Sequence, residues 1–504
     1  MNETLTDRRT NLAEAWLRPV GGAAFVVAIC LAVGWVVSME DGVLWAAIGI
    51  AVIVVALVAM WNAGVAAGIL VVAVLNGVPG VDLEGFAQRG SFRPSDVLVA
   101  SLVILLGIRL LHNASEVAAD RTWRALAWWS ALFLLWWTWI VASSTVDDGI
   151  PLVNGALFGR DFLYFGLLLP LFVGGLRRRD DVFGLLATIA AAALLHACAQ
   201  LGIVLGIVEY DWLVHPTILG EFEGLTRIYA FMSDAVVATL AISSGLALMG
   251  RRRGLRGVGA LVALITALST LFQFTRATYA GLAFGFLVVT AIWVARRQES
   301  ARPIRRTALV GVGVVLAGAA FVFSGGTGPS LSSASPASAV SERAVSSVQE
   351  LTTRTGTVGY RYDVSQRMLD RLGDDWLFGL GFWHPDVKPV ANLPQNSIRN
   401  GDVGILNAVM TMGVVGAILL YLPLLAATVA FVRRRDAGEA RRSDYDWFFY
   451  GLSAWLLAVL VGSLTLVQLF SVPGLVLTAA IVAAGIRVLD LARADESTGH
   501  ATTA

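Results

Sequence analysis

The sequence predicts an all-α polytopic membrane protein. It would be a bundle of about fourteen transmembrane helices with one long extracytoplasmic loop that contains short amphipathic helices. Composition is the first reason. Of 504 residues, 57% are hydrophobic and 14% charged, where a soluble domain carries about 25% charged residues. The mean hydropathy is +0.72. The second reason is the repetition of apolar runs of about 20 residues, enough to cross a bilayer. Only residues 324–402 interrupt them at length. A net charge of +1 gives no basis for nucleic-acid binding. Cys30 and Cys198 lie far apart inside apolar runs, so there is no disulfide framework and no zinc spacing. The 16 tryptophans suit rings anchored at the two membrane interfaces.

Residues 1–19 are polar and lack the short apolar core and cleavage site of a signal peptide, so they read as a retained cytoplasmic tail. Spans follow near 20–38, 43–60, 62–78, 95–112, 124–143, 160–177, 181–207, 228–249, 256–274, 278–295 and 307–323. The last three lie near 403–432, 447–466 and 471–489, and residues 490–504 form a second cytoplasmic tail. Arginine clusters set the orientation. They stand at Arg8/Arg9/Arg18, Arg121/Arg124, Arg177–Arg179, Arg251–Arg253, Arg296–Arg306 and Arg433–Arg442. In this arrangement every cluster falls on one side, which the positive-inside rule makes the cytoplasm.

The long loop divides in two. Residues 324–357 are rich in Ser, Gly and Ala, cannot bury a core, and read as a flexible linker. Residues 358–402 form the functional part. There Val364, Met368 and Leu372 recur every four residues, with Leu369 beside them, which predicts an amphipathic helix that Gly373 ends. Trp376, Leu377, Phe378, Phe382 and Trp383 follow as an aromatic cluster expected on the membrane surface or the bundle mouth.

Charges on the side away from the basic clusters need a reason, because they are costly near lipid. Arg160 and Arg227 each start a span, Arg276 sits in a three-residue turn, and Arg361 begins the amphipathic helix with Arg367 close behind. Any one of them could snorkel to headgroups, or pair with a neighbour such as Asp161. Together, on separate helices, they suit a clamp on phosphate, which guanidinium groups bind in bidentate fashion. A pyrophosphate leaving group requires such neutralisation as charge develops on it. Most acidic residues, among them Glu40, Asp41, Asp374 and Asp375, read as solvated loop groups. Asp402 differs, since it stands where the chain re-enters the membrane and suits either helix capping or catalysis. His215 and His384 lie outside, each followed by proline, and no histidines have metal-ligand spacing. With no HExxH, GxxxxGK[ST] or CxxC, neither a metal nor another cofactor is expected.

Four stretches, in order, resemble the O-antigen ligase and polymerase superfamily of bacterial membrane glycosyltransferases. GLTRIYAFMSDAVVATL resembles its Arg-aromatic segment entering a span, and FTRATYAGLAFG its Arg-containing turn. RMLDRLGDDWLFGLGFW resembles a short helix leading to a Gly-x-Gly stretch. DVGILNAVMTMGVVG resembles the signature in which a polar residue precedes a glycine by eleven positions, here Asp402, Gly413 and then Gly416. Ligases of the family carry His-Asn where this chain has Asp402-Val403, which points to an exopolysaccharide or capsule polymerase branch. The resemblance implies metal-independent, inverting sugar transfer on the outer membrane face. The donor would be an undecaprenyl-diphosphate-linked oligosaccharide, the acceptor a glycan or lipid-glycan, and a chain-length regulator a further partner. Arg227 and Arg276 would hold the diphosphate, and Asp402 would take the acceptor's proton. Arg160, Arg361, Arg367, His384 and Tyr279 would contribute to substrate binding. The alternatives are a polysaccharide flippase or other secondary transporter, or a polyprenyl-monophosphate-sugar transferase using Asp41.

Overall fold

The computed structural model describes residues 55, 58–77, 94–148, 151–208, 218–222, 225–230, 232–273, 276–295, 356–382, 404–433, 445–464 and 471–501. The N-terminal tail, the spans at 20–38 and 307–323, most of 43–60, Asp41, the Ser-rich segment to 355, His384 and Asp402 lie outside them. In chain order the helices are α1 (Ala63–Val74), α2 (Pro94–His112), α3 (Ala114–Ala119), α4 (Arg121–Asp148), α5 (Leu152–Gly175) and α6 (Arg179–Val204). A hairpin of β1 (Ile218–Phe222) and β2 (Leu225–Tyr229) comes next, then α7 (Met232–Met249), α8 (Arg253–Leu271) and α9 (Arg276–Ala295). After α10 (Gly356–Leu372) come α11 (Gly404–Arg433), α12 (Asp446–Gly462) and α13 (Val472–Ala501).

Among the described residues, 8 helices are long and apolar enough to cross a membrane, and α1, α9 and α12 are shorter apolar helices. α13 is the centre of the bundle, buried along its whole apolar stretch. It continues to Ala501, beyond the expected end of its span. α8 shows what solvent the bundle is built for. Leu255, Val258, Leu261, Leu264 and Leu268 face outward, whereas Thr266, Ser269 and Thr270 are buried. An apolar outside and a polar inside invert the pattern of a water-soluble helix and suit a hydrocarbon surrounding.

The expected all-α fold holds, with one local exception: β1 and β2 pair antiparallel with Ile218 opposite Tyr229 and Phe222 opposite Leu225. β-branched and aromatic residues in these short segments favour extended backbone. The span expected at 228–249 therefore starts only at Met232, and Arg227 lies on a strand.

Among the described residues, the basic clusters at Arg121/Arg124, Arg177–Arg179, Arg251–Arg253 and Arg433 fall at one end of the bundle by helix alternation, and a buried ion network ties that end together. Arg487 of α13 lies 2.8 Å from Asp120 and 2.8 Å from Asp490, and its Nε donates to the Val173 carbonyl. Arg177 adds a longer contact to Asp120 at 3.4 Å. Asp120 also caps α4, accepting from the amides of Thr122 and Trp123 at 2.9 and 3.2 Å. Burial raises the Asp120 carboxyl, but Arg487, the Trp123 amide and Arg177 outweigh it and hold the group below its ordinary value.

Prolines explain the Trp-rich sequence of α4. Proline lacks an N–H, so the carbonyl four residues earlier loses its helical partner, and lipid offers no water to replace it. Pro170 frees Gly166, whose carbonyl accepts from Ser130 Oγ at 2.7 Å. Pro423 frees Leu419, whose carbonyl accepts from Trp129 Nε1 at 2.8 Å. Trp123 donates to Pro170 O (3.1 Å), Trp136 to Met412 O (3.0 Å) and Trp137 to Gly159 O (2.7 Å). These four indoles bond inward to backbone, which corrects the reading of tryptophan as interfacial anchor alone; Trp128 and Trp139 of the same helix are exposed.

Two predictions follow from these contacts. Trp129→Phe keeps the ring and removes the donor, and is expected to cost about 1–3 kcal/mol. Adding Pro423→Ala, which returns an amide to α11, should recover most of that loss in thermal unfolding in detergent; the same loss in both backgrounds would refute the pairing. Asp120 has a lowered folded pKa, so its contribution is full above the ordinary value of 3.8 and is lost as pH falls from there through the folded value. Asp120→Asn should therefore lower the melting temperature at pH 7 and flatten the acid limb below about pH 4.

Candidate functional site

Helix alternation brings the remaining candidate residues to the end opposite the basic clusters. The carboxyl end of α6, the hairpin, the start of α7, the end of α8, the start of α9, α10 and the start of α11 lie toward that end.

The first group is a buried polar network under the hairpin. Gln200 of α6 is 1% exposed. Its Nε2 donates to Ser233 Oγ at 3.4 Å and to Ile228 O at 3.5 Å, and its Oε1 accepts from Ser269 Oγ of α8. Ser233 in turn accepts from the Ala230 amide at 3.1 Å, closing the entry into α7. Ile228 is buried against Ala199, Ile203 and Val204. One amide thus links the strand that carries Arg227 to the helix that leads to Arg276. A sequence signal for it existed: Thr266, Ser269, Thr270 and Gln273 recur at helical spacing on one face of α8.

Arg276 is the first residue of α9, where unpaired amides and the helix dipole favour an anion. Tyr279, one turn on, donates its hydroxyl to the carbonyls of Leu271 and Thr270, the latter at 3.2 Å. These are end carbonyls of α8, so Tyr279 fastens the turn that presents Arg276. Arg227 lies opposite Gly220 in the hairpin register.

Arg160 differs from its expected position. α5 begins at Leu152, so Arg160 stands two turns inside the helix rather than at its start. It is buried and pairs with Asp96 of α2 at 3.0 Å, while Tyr164 donates to the same carboxylate at 2.8 Å. The guanidinium is needed where it is, because an uncompensated buried carboxylate is costly. Sequence reasoning read Arg160 against Asp161 and missed Asp96 and Tyr164.

The amphipathic helix expected in the loop is present as α10, and Gly373 (φ +46) ends it. α10 starts at Gly356, so Arg361 falls within it rather than at its beginning. Met368 and Leu372 are buried with Met410 of α11, whereas Leu369 and Arg367 are exposed. The aromatic residues after α10 settle on the bundle mouth. Phe382 stacks on Phe162 with ring centroids 5.7 Å apart, and Phe378 stacks on Trp136 at 5.7 Å.

This turn meets α11 at a break. Gly413 has φ 67° and ψ 177°, so α11 is two helical pieces, one on each side. The Leu380 amide donates to Met410 O at 2.7 Å, and the Val415 amide reaches Leu377 O at 3.5 Å. The first piece is also fastened to α12, since the Ile405 amide donates to Ser463 O at 2.8 Å. It begins at Gly404, two residues after Asp402.

Compared with known families, residues 260–421 match the model described as O-antigen ligase. The matched stretch contains Arg276, Tyr279, Arg361, Arg367, His384, Asp402 and Gly413, and leaves out Arg160 and Arg227. No curated protein matches the chain.

Gln200→Leu removes the shared partner of Ser233 and Ser269 at nearly constant volume. Amide exchange across β1 and β2 is expected to rise about tenfold or more, matching a loss of about 1–3 kcal/mol. Unchanged exchange in the hairpin would show that it is held by other means.

Proposed function

We propose that the chain, whose residues 260–421 match the O-antigen ligase model, is a member of that superfamily and transfers or polymerises glycan from an undecaprenyl-diphosphate-linked donor at the outer face of the bacterial cytoplasmic membrane. The family and the multi-pass helical fold make it membrane machinery of polysaccharide biosynthesis. The observation that supports the finer reading best is a shared end of the bundle. The hairpin of Arg227, the helix start at Arg276 and the helical piece that follows Asp402 all belong to the end of the bundle opposite the basic clusters. A flippase would instead string charges along a path through the bundle.

In this reading Arg276 and Arg227 neutralise the donor diphosphate, aided by the amino end of α9. Asp402 accepts the proton of the acceptor hydroxyl as its oxygen attacks the anomeric carbon. The carbon–oxygen bond to the diphosphate breaks, and the leaving group departs with both electrons and inverted configuration at carbon. No metal takes part. Arg361, Arg367 and His384 contact the glycan, and Tyr279 places Arg276. Arg160 acts through position: its charge is answered by Asp96, so it holds α5 against α2 rather than binding diphosphate. The carboxylate in place of the family's histidine favours a polymerase branch, with a chain-length regulator as partner.

The test uses purified protein and a lipid-diphosphate-linked donor in detergent. Arg276→Ala is expected to lower kcat/KM by about 100-fold or more, the scale for loss of a charge-stabilising donor. Asp402→Ala should abolish turnover with donor binding retained, and a chelator should leave the rate unchanged. Normal product from both variants would overturn the site.

A further inference from the structure

We propose that the break at Gly413 is a positioning device for the reaction: it seats the 377–382 turn in the bundle and thereby holds the helical piece that follows Asp402 in the chain. The inference rests on the assignment of Asp402 as base.

The fit at the break is backbone on backbone. A Cβ at Gly413 would fall 2.1 Å from the Leu377 carbonyl oxygen, and its φ of +67° disfavours any side chain. From the other side, Gly379 (φ +81) would place a Cβ 2.3 Å from the Gly413 amide nitrogen. Two glycines therefore serve one backbone crossing: Gly379 is barred from anything larger by the main chain of Gly413 and Met412, and Gly413 by that of Leu377 and Phe378. Opening a helix inside a bundle exposes polar backbone, which must be answered. Here the Leu380 amide answers Met410 O, Leu377 O receives the Val415 amide, and Trp136 Nε1 answers Met412 O. The turn thus replaces part of the helix's own ladder. The ring of Phe378 on Trp136 and that of Phe382 on Phe162 fix its sides.

The piece from Gly404 to Met412 is consequently held at three places: at Gly413 by the turn, along its flank by Met368 and Leu372 of α10, and near its start by the bond of Ile405 to Ser463. Displacing a reacting group by about 1 Å costs about 100-fold in rate, so the break is expected to act on kcat rather than on donor affinity.

The experiment compares wild-type protein with Gly413→Ala, Gly379→Ala and Gly257→Ala, the last a control because a Cβ there meets nothing within 4 Å. Amide exchange of the 377–382 segment and steady-state turnover with the lipid-diphosphate donor are both measured. Expected for Gly413→Ala and Gly379→Ala are faster exchange at 377–382 and a kcat lowered about 10- to 100-fold with donor KM within about twofold. Trp136→Phe, which keeps the ring and removes one donor, should show the same changes at smaller size and serves if either glycine variant does not fold. Unchanged exchange overturns the seating. Faster exchange with unaltered kcat, or an effect on KM alone, overturns the positioning role. Asp402→Asn separates this from the preceding section: full activity there removes the base and the positioning role with it, while exchange alone still decides whether Gly413 seats the turn.

Discussion

A carbonyl without a partner inside a bilayer is the constraint that organises this fold. Water cannot satisfy it, and each such group costs several kcal/mol in hydrocarbon. Among the described residues, three interruptions create such groups: Pro170 in α5, Pro423 in α11 and the break at Gly413. One helix, α4, supplies donors to all three regions, through Ser130, Trp129 and Trp136. An indole suits this work, since it carries one donor and no acceptor, and the rest of its surface is apolar. The same helix shows a second row of large side chains outward, with Trp128, Leu132, Leu135 and Trp139 exposed. Its sequence is therefore hydrophobic all round for two different reasons, packing on one side and lipid on the other.

The two ends of the bundle solve the problem of buried charge differently. At the basic end Arg487 is surrounded by two carboxylates and a carbonyl, drawn from α13, the start of α4 and the end of α5. At the other end Arg160 meets one carboxylate, which Tyr164 also engages. α5 takes part in both. A buried pair gives little net stability, but removal of one partner is expensive. The two pairs thus act as fixed points that penalise sliding of α5 along its neighbours.

Much of the fold was legible in the sequence because hydrophobic run length and the spacing of Val364, Met368 and Leu372 are local quantities. The helix boundaries near 95–112, 181–207 and 403–432 agree with α2, α6 and α11 to within a few residues. What escaped notice is long-range. The Trp129–Leu419 bond joins residues 290 apart, and Asp96–Tyr164 joins residues 68 apart; no periodicity encodes either. The hairpin was masked by its position beside an apolar run, so Arg227 was given a helix. Gly413 was visible as a glycine of the signature, but its conformation follows from the approach of Leu377, which lies on a different segment. Arg276, expected in a three-residue turn between two apolar runs, is instead the first residue of α9, a difference of two residues in where the helix starts.

These differences separate what must be rigid from what must be exact. The pinned α5, the central α13 and the indole bonds of α4 make a frame whose members cannot shift without leaving a polar group unanswered. The elements that carry the proposed chemistry are not built into that frame as continuous helices. Arg227 lies on a hairpin fastened by Gln200, Arg276 at a turn fastened by Tyr279, and Asp402 precedes a helical piece severed from the rest of α11 at Gly413. Each is a short unit attached by a few directional hydrogen bonds. A long helix fixes its end residues only through its own axis, whereas a short unit can be aimed independently and then locked. For the reaction proposed above, in which diphosphate, anomeric carbon and proton acceptor have to align, separate aiming of each group on a common frame is the arrangement that geometry favours.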